Sequence, residues 1–153
     1  MKILIIEDQE DKSKDIEQFC ESYFKKVDLI HVKRSLRSGL RAALSEIQYD
    51  LIFLDMSMPN FDPSEDDPLG GTPESFAGKE LLAQLKFRKV TIPVVIVTQY
   101  QTFNEGKIDL KSLNNELMKE YFGFYMGIVY YSSADKDWQT NLKKLLTESL
   151  KDD

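Results

Sequence analysis

Apolar positions along the chain fall into two alternating patterns. In residues 2–6, Ile3, Leu4, Ile5 and Ile6 are all apolar, and Glu7 and Asp8 follow at once. A short run with no polar alternation is what a strand covered on both faces requires, so it predicts the first strand of a parallel sheet. Ile16, Phe19, Cys20, Tyr23 and Phe24 then recur at i, i+3, i+4, i+7 and i+8, one stripe along a helix from about 11 to 25. Residues 27–32 read as strand two. Ser35 is placed to cap a helix whose inward face is Leu36, Leu40, Ala43, Leu44 and Ile47, and 51–54 form strand three, running into Asp55.

The rhythm breaks between 60 and 77, where Asp62, Glu65, Asp66, Asp67 and Glu74 are interleaved with Pro63, Pro68, Pro73, Gly70 and Gly71. No apolar period survives there, which predicts an exposed acidic loop insertion. The third helix opens either at Thr72-Pro73 or nearer Gly78, with Leu81, Leu82 and Leu85 inward. Residues 93–97 are strand four. Asp109 is placed to cap a helix carrying Leu110, Leu113, Leu117, Met118 and Tyr121, which Gly123 ends. Residues 127–131 are strand five, and Trp138, Leu142, Leu145 and Leu146 mark the last helix. Five strands alternating with five helices predict an α/β fold, a doubly wound parallel sheet whose crevice lies beyond the carboxyl ends of its strands.

Composition narrows the function. One domain over residues 1–153, with no output domain, is the expectation for 153 residues. A single Cys excludes a disulfide framework and a Cys-rich zinc site. Net charge −6 excludes the broad basic field that nucleic-acid binding needs. No apolar segment long enough for a signal peptide or a membrane span is present, so a cytoplasmic protein is expected, without membrane or nucleic-acid partners. A phosphate-binding Gly-rich loop does not follow strand one, and Ser57 stands where a dehalogenase-type phosphatase would want a second Asp.

The chemistry is concentrated at strand ends. Glu7 and Asp8 close strand one, Asp55 closes strand three and Thr98 closes strand four. Strands one and three are neighbours in such a sheet, so the three carboxylates are expected to converge. Their repulsion is relieved by a hard divalent ion such as Mg²⁺, beside which one carboxylate can attack a phosphoryl group. Asp55, with the Met58-Pro59 turn just beyond it, is the candidate nucleophile, and the Thr98 hydroxyl is placed to meet a phosphoryl oxygen. Each residue taken singly has an ordinary alternative: Asp8 or Gln9 as a helix cap, Asp55 as a turn residue. His31, Cys20 and Trp138 read as structural.

Three stretches, Ile3-Leu4-Ile5-Ile6-Glu7-Asp8, Tyr49-Asp50-Leu51-Ile52-Phe53-Leu54-Asp55-Met56-Ser57-Met58-Pro59 and Ile92-Pro93-Val94-Val95-Ile96-Val97-Thr98, resemble the receiver domain of two-component response regulators. The resemblance implies a flavodoxin-like sheet of strand order 2-1-3-4-5. It implies that Asp55 accepts a phosphoryl group from a partner histidine kinase or phosphotransfer protein, and that the signal passes to a downstream protein. Any chemistry of its own would be limited to gaining and losing that group. It also implies that Asp8, Asp55 and the Ser57 backbone carbonyl hold Mg²⁺ directly, with Glu7 acting through water, and that Thr98 is the switch hydroxyl.

Several positions depart from the family pattern. A Lys-Pro pair usually closes strand five; Tyr131 and Ser132 stand there, leaving the pocket without its expected cation unless Lys136 folds back over it. Gln99 replaces a small residue, and Ile128 occupies the aromatic switch position, with Tyr130 and Tyr131 nearby. These departures keep a rival open, a pseudo-receiver acting as a phosphorylation-independent interaction module. A metal-dependent phosphoester hydrolase is weaker still, for want of a general acid or base. The 60–77 loop, with Phe61, Leu69 and Phe76 among its acids, reads as a docking surface in preference to a gate.

Overall fold

The computed structural model describes residues 1–59, 62, 65–66, 77–100, 102–103 and 108–150. Its elements run β1 (Lys2–Ile6), α1 (Glu10–Tyr23), β2 (Leu29–Lys33), α2 (Leu36–Ala43), β3 (Leu51–Leu54), α3 (Ala77–Phe87) and β4 (Val94–Thr98). Then come β5 (Thr102–Phe103), β6 (Ile108–Asp109), α4 (Leu110–Glu120), β7 (Tyr125–Tyr130) and α5 (Asp137–Leu150). Five strands form one parallel sheet in the order β2-β1-β3-β4-β7, which is 2-1-3-4-5 in order of appearance, while β5 and β6 pair with each other. This is the doubly wound sheet expected from the alternating runs.

Alternation along the strands sorts the core into two layers. Leu4, Ile6, Ile52, Leu54, Val94 and Ile96 face α2, α3 and α4. Ile3, Ile5, Leu51, Phe53, Val95 and Val97 face α1 and α5, where they meet Ile16, Phe19, Cys20, Trp138 and Leu142. Both faces are covered, which is why β1, β3 and β4 carry no polar alternation. Cys20 and Trp138 are buried in this second layer, as read from the sequence. His31 Nδ1 lies 2.6 Å from the Tyr49 hydroxyl, a structural contact.

Ser35 caps α2 through its hydroxyl, which accepts from the Ser38 N–H at 3.1 Å, and Asp109 caps α4 by accepting from the Ser112 N–H at 2.7 Å. Other expectations shift. Helix α2 stops at Ala43, so Leu44 is 39% exposed instead of inward-facing, and Met118 of α4 is 38% exposed. Strand β7 begins two residues before Gly127, because a register irregularity admits Met126 between the Val94–Tyr125 and Val95–Gly127 pairs. Gly127 there has φ 154, a value that favours glycine. Helix α3 opens at Ala77, the later of the two starts considered. Of the 60–77 loop, residues 60–61, 63–64 and 67–76, including Phe61, Leu69 and Phe76, lie outside the described residues.

Gly78 brings α3 against the chain just past β3. Its N–H donates to the Met56 carbonyl at 2.9 Å, and a Cβ built there would lie 2.6 Å from the Asp55 carbonyl oxygen and 2.9 Å from Met56 Cα. Both obstacles are backbone, so no side chain can rotate away. Gly78→Ala is therefore expected to destabilise the protein by about 1–3 kcal/mol, although Ala is the better helix former by up to about 1 kcal/mol. Denaturant unfolding decides the sign; a variant as stable as the parent would show that this approach does not fix residues 55 and 56.

Candidate functional site

Pairing of β1 with β3 sets Ile6 opposite Leu54, so the residues that follow, Glu7 and Asp8 on one strand and Asp55 on the other, leave the sheet side by side. Their backbones are tied down as well: Asp55 N–H donates to the Ile6 carbonyl at 3.0 Å and Glu7 N–H to the Lys33 carbonyl at 2.8 Å. One carboxylate oxygen from each of Glu7, Asp8 and Asp55 lies within 4.8 Å of the others. Glu7 and Asp55 are buried and Asp8 half-buried.

A cation stands among them, and it comes from an unexpected element. Lys12, in the first turn of α1, is 1% exposed, and its Nζ lies 2.7 Å from Glu7 Oε2 and 3.1 Å from Asp55 Oδ1. The pocket is thus not without a lysine, as position 131 suggested; the lysine arrives from the first helix. Lys136 is exposed ahead of α5. Tyr131, 4% exposed, fills the end of the last strand, with its ring centroid 5.8 Å from Lys12 Nζ and its hydroxyl donating to Asp15 Oδ2 at 2.5 Å. Trp138 packs against that ring, tilted, at 5.3 Å between centroids.

Lys12 was legible in retrospect. The stripe of Ile16, Phe19, Cys20 and Tyr23, carried back one turn, lands on position 12, so a core-facing lysine sits at the end of α1 nearest the strand tips.

Burial governs the electrostatics. Loss of water pushes the Glu7 carboxyl from its ordinary 4.5 up to about 8; Lys12 opposes this and Asp55 reinforces it. Asp55 is also raised, first by burial, with Lys12 opposing, Asp8 reinforcing and the Ser57 N–H favouring its charged form. Glu7 Oε1 accepts from the Gln9 N–H at 3.0 Å, and Oε2, with no other partner among the described residues, rests on the Lys12 ammonium at 2.7 Å. Three converging carboxylates with one ammonium among them form an all-oxygen set that suits a hard divalent cation.

Thr98 is buried at the tip of β4, and its hydroxyl accepts from the Tyr100 N–H at 3.2 Å. Gln99 beside it is half-buried, as is Ile128, whereas Tyr130 is exposed.

No protein-family model matches the chain. It is 30% identical over 150 residues to the Detocs response regulatory protein DtcB of Enterobacter cloacae (strain JD6301), across 97% of this chain and 99% of that one. It is 34% identical over 145 residues to the uncharacterised protein y4jR of Sinorhizobium fredii (strain NBRC 101917 / NGR234), across 94% and 95% of the two chains. Among solved structures, the Mn²⁺-bound response regulator Rcp1 superposes with a TM-score of 0.61 at 18% identity, covering 95% of this chain and 91% of that one. Among the described residues no helix is long and apolar enough to cross a membrane. A named relative matched over almost the full length of both chains, together with the shared fold, makes this chain a member of the response-regulator receiver family.

Proposed function

We propose that the protein is a cytoplasmic receiver that accepts a phosphoryl group on Asp55 from a phosphohistidine on a partner kinase or phosphotransfer protein and signals through contacts with another protein. The observation that carries this reading is the placement of Asp55: a buried carboxylate at a strand tip, held by backbone bonds, with two further acids and an ammonium around it. An Asp55 carboxylate oxygen forms the new O–P bond, and the P–N bond of the donor breaks with its electron pair going to the imidazole nitrogen. Asp8, Asp55 and the Ser57 carbonyl would hold Mg²⁺, with Glu7 acting through water. The bound ion would offset the charge on the phosphoryl oxygens. Thr98 offers its hydroxyl from β4, and Lys12, with a smaller contribution from the Ser57 N–H, favours the charged form of Asp55 that attack requires, against the burial that raises it.

The rival reading, a module that works without phosphorylation, has one observation in its favour. Lys12 already pairs with both Glu7 and Asp55, compensating part of the pocket's charge without a metal. Three carboxylates converge there and Lys12, paired with Glu7 and Asp55, carries one positive charge, so the pocket keeps an excess of negative charge for a divalent ion to offset, which is why phosphoryl acceptance is preferred.

Incubation with Mg²⁺ and acetyl phosphate, followed by intact mass, is expected to add one phosphoryl group to the parent and none to Asp55→Asn. Labelling that persists in Asp55→Asn would identify another acceptor, and a parent that never labels would favour the rival.

Mg²⁺ or Mn²⁺ should raise the melting temperature, by the equivalent of about 2.7 kcal/mol at one hundred times the dissociation constant. An unchanged melting temperature across a millimolar titration removes the metal from the reading.

The contribution of Glu7 to the stability of the metal-free protein should fall with rising pH. The folded value for Glu7, about 8, lies above its ordinary 4.5. The contribution of this group is therefore fully present below about pH 4.5 and lost as pH rises through about 8. Urea unfolding in a chelator should show the parent losing stability across this window relative to Glu7→Gln, with added Mg²⁺ flattening the difference. Parallel profiles for the two proteins would contradict the burial of an unneutralised Glu7.

A further inference from the structure

The acidic pocket takes its cation from α1, and the place at the end of the last main-sheet strand is filled by an aromatic ring. Lys12 Nζ is 3.1 Å from Asp55 Oδ1, close enough that any group attached to the Asp55 carboxylate lies within its reach. Phosphorylation turns one negative charge at Asp55 into roughly two, spread over three terminal oxygens. The Asp55 carboxylate then becomes an acyl phosphate, a mixed anhydride, and loses its own charge and its hold on the ammonium, while the new oxygens are stronger partners for it. A lysine ammonium has three rotatable donors on a flexible stem, so it can leave Asp55 Oδ1 for a phosphoryl oxygen while keeping Glu7. Tyr131 bounds this arrangement from the side: its ring lies against Lys12, and its hydroxyl is held by Asp15 one turn along α1.

We propose that Lys12 is the residue that contacts the phosphoryl group on Asp55, supplying from the first helix the positive charge that receivers usually bring from the last strand, with Tyr131 sealing the vacated place. This rests on Asp55 being the phosphoacceptor. Lys12 does not enter the covalent step: an Asp55 oxygen bonds to phosphorus, the donor's bond to phosphorus breaks with its electron pair, and the ammonium keeps its protons while offsetting the charge gathering on the equatorial oxygens.

Exchange of the cation's position is the test. The parent, Lys12→Met and the double variant Lys12→Met/Tyr131→Lys are labelled with acetyl phosphate in Mg²⁺ and followed by intact mass. Beryllofluoride affinity is measured in parallel for the parent and Lys12→Met through Trp138, the single tryptophan, which packs on Tyr131. Lys12→Met is expected to lower the labelling rate by about tenfold or more and to weaken beryllofluoride binding, and the double variant should recover a measurable part of the labelling rate. Were Lys12→Met to fail to fold, the substitution would be made on Glu7→Gln, where fewer buried charges face the missing ammonium, and a similar loss relative to Glu7→Gln alone is expected.

Labelling of Lys12→Met at the parental rate overturns the proposal and leaves Asp55 as the acceptor. So does a loss that the double variant does not repair, which would make Lys12 a counter-ion holding the pocket together. A parent that neither labels nor binds beryllofluoride overturns the Asp55 reading itself, and this one with it.

Discussion

One buried ammonium between two buried carboxylates organises the working end of this protein. Lys12, Glu7 and Asp55 each give up water to be there, and the attraction within such a group is largely cancelled by the cost of removing its members from solvent. The arrangement is therefore not what folds the chain. It persists because α1 is docked by other means: Ile16, Phe19 and Cys20 are buried against β1, β3 and α5, each large apolar side chain contributing about 1.5–3 kcal/mol. That docking also fixes where the first turn of the helix ends up, and so where a lysine one turn before Ile16 must point. Apolar packing sets the geometry, and the geometry sets the electrostatics.

The consequences reach the last strand. With the cation supplied from α1, position 131 is free to hold a large aromatic residue, and Tyr131 uses all of its chemistry there. Its ring contacts Lys12 and Trp138, and its hydroxyl donates to Asp15 on α1. Helix α1, the end of β7 and the start of α5 thus form one continuous wall beside Asp55. On the opposite side, the close approach of Gly78 ties the start of α3 to the carbonyl of the same aspartate. The candidate nucleophile is held between two helix beginnings, each attached to it by a different kind of contact.

This division explains what could be read from the sequence. Strands β1, β3 and β4 are covered on both faces and announce themselves as unbroken apolar runs, and the three acids follow from where those runs stop. Ser35 and Asp109 were recognisable because capping is local chemistry. Lys12 escaped because lysine is ordinarily a surface residue, and only the stripe behind it shows which way position 12 faces. The β5–β6 pair escaped because two-residue strands are shorter than any periodicity. The start of β7 was misplaced because its irregularity puts an extra residue before Gly127, a feature set by the neighbouring strand. What depended on one element's own pattern was legible, and what depended on two elements meeting was not.

A charge count shows why the relocated lysine matters to such a site. Glu7, Asp8 and Asp55, fully ionised, carry three negative charges, and Lys12 returns one, leaving two uncompensated. A proton on Glu7 removes one of these, in keeping with a carboxyl that burial first, and Asp55 after it, pushes up to about 8. A divalent cation removes both and leaves the carboxylates free to remain ionised. A phosphoryl group on Asp55 adds roughly one negative charge to the unphosphorylated total, so that even with a divalent ion bound the pocket is near balance only if the ammonium stays. Remove Lys12, and the phosphorylated pocket carries about two negative charges inside a largely dry wall of Tyr131 and Trp138. The position of that single ammonium, fixed by the apolar face of α1, therefore sets how much negative charge the pocket would have to carry once phosphorylated.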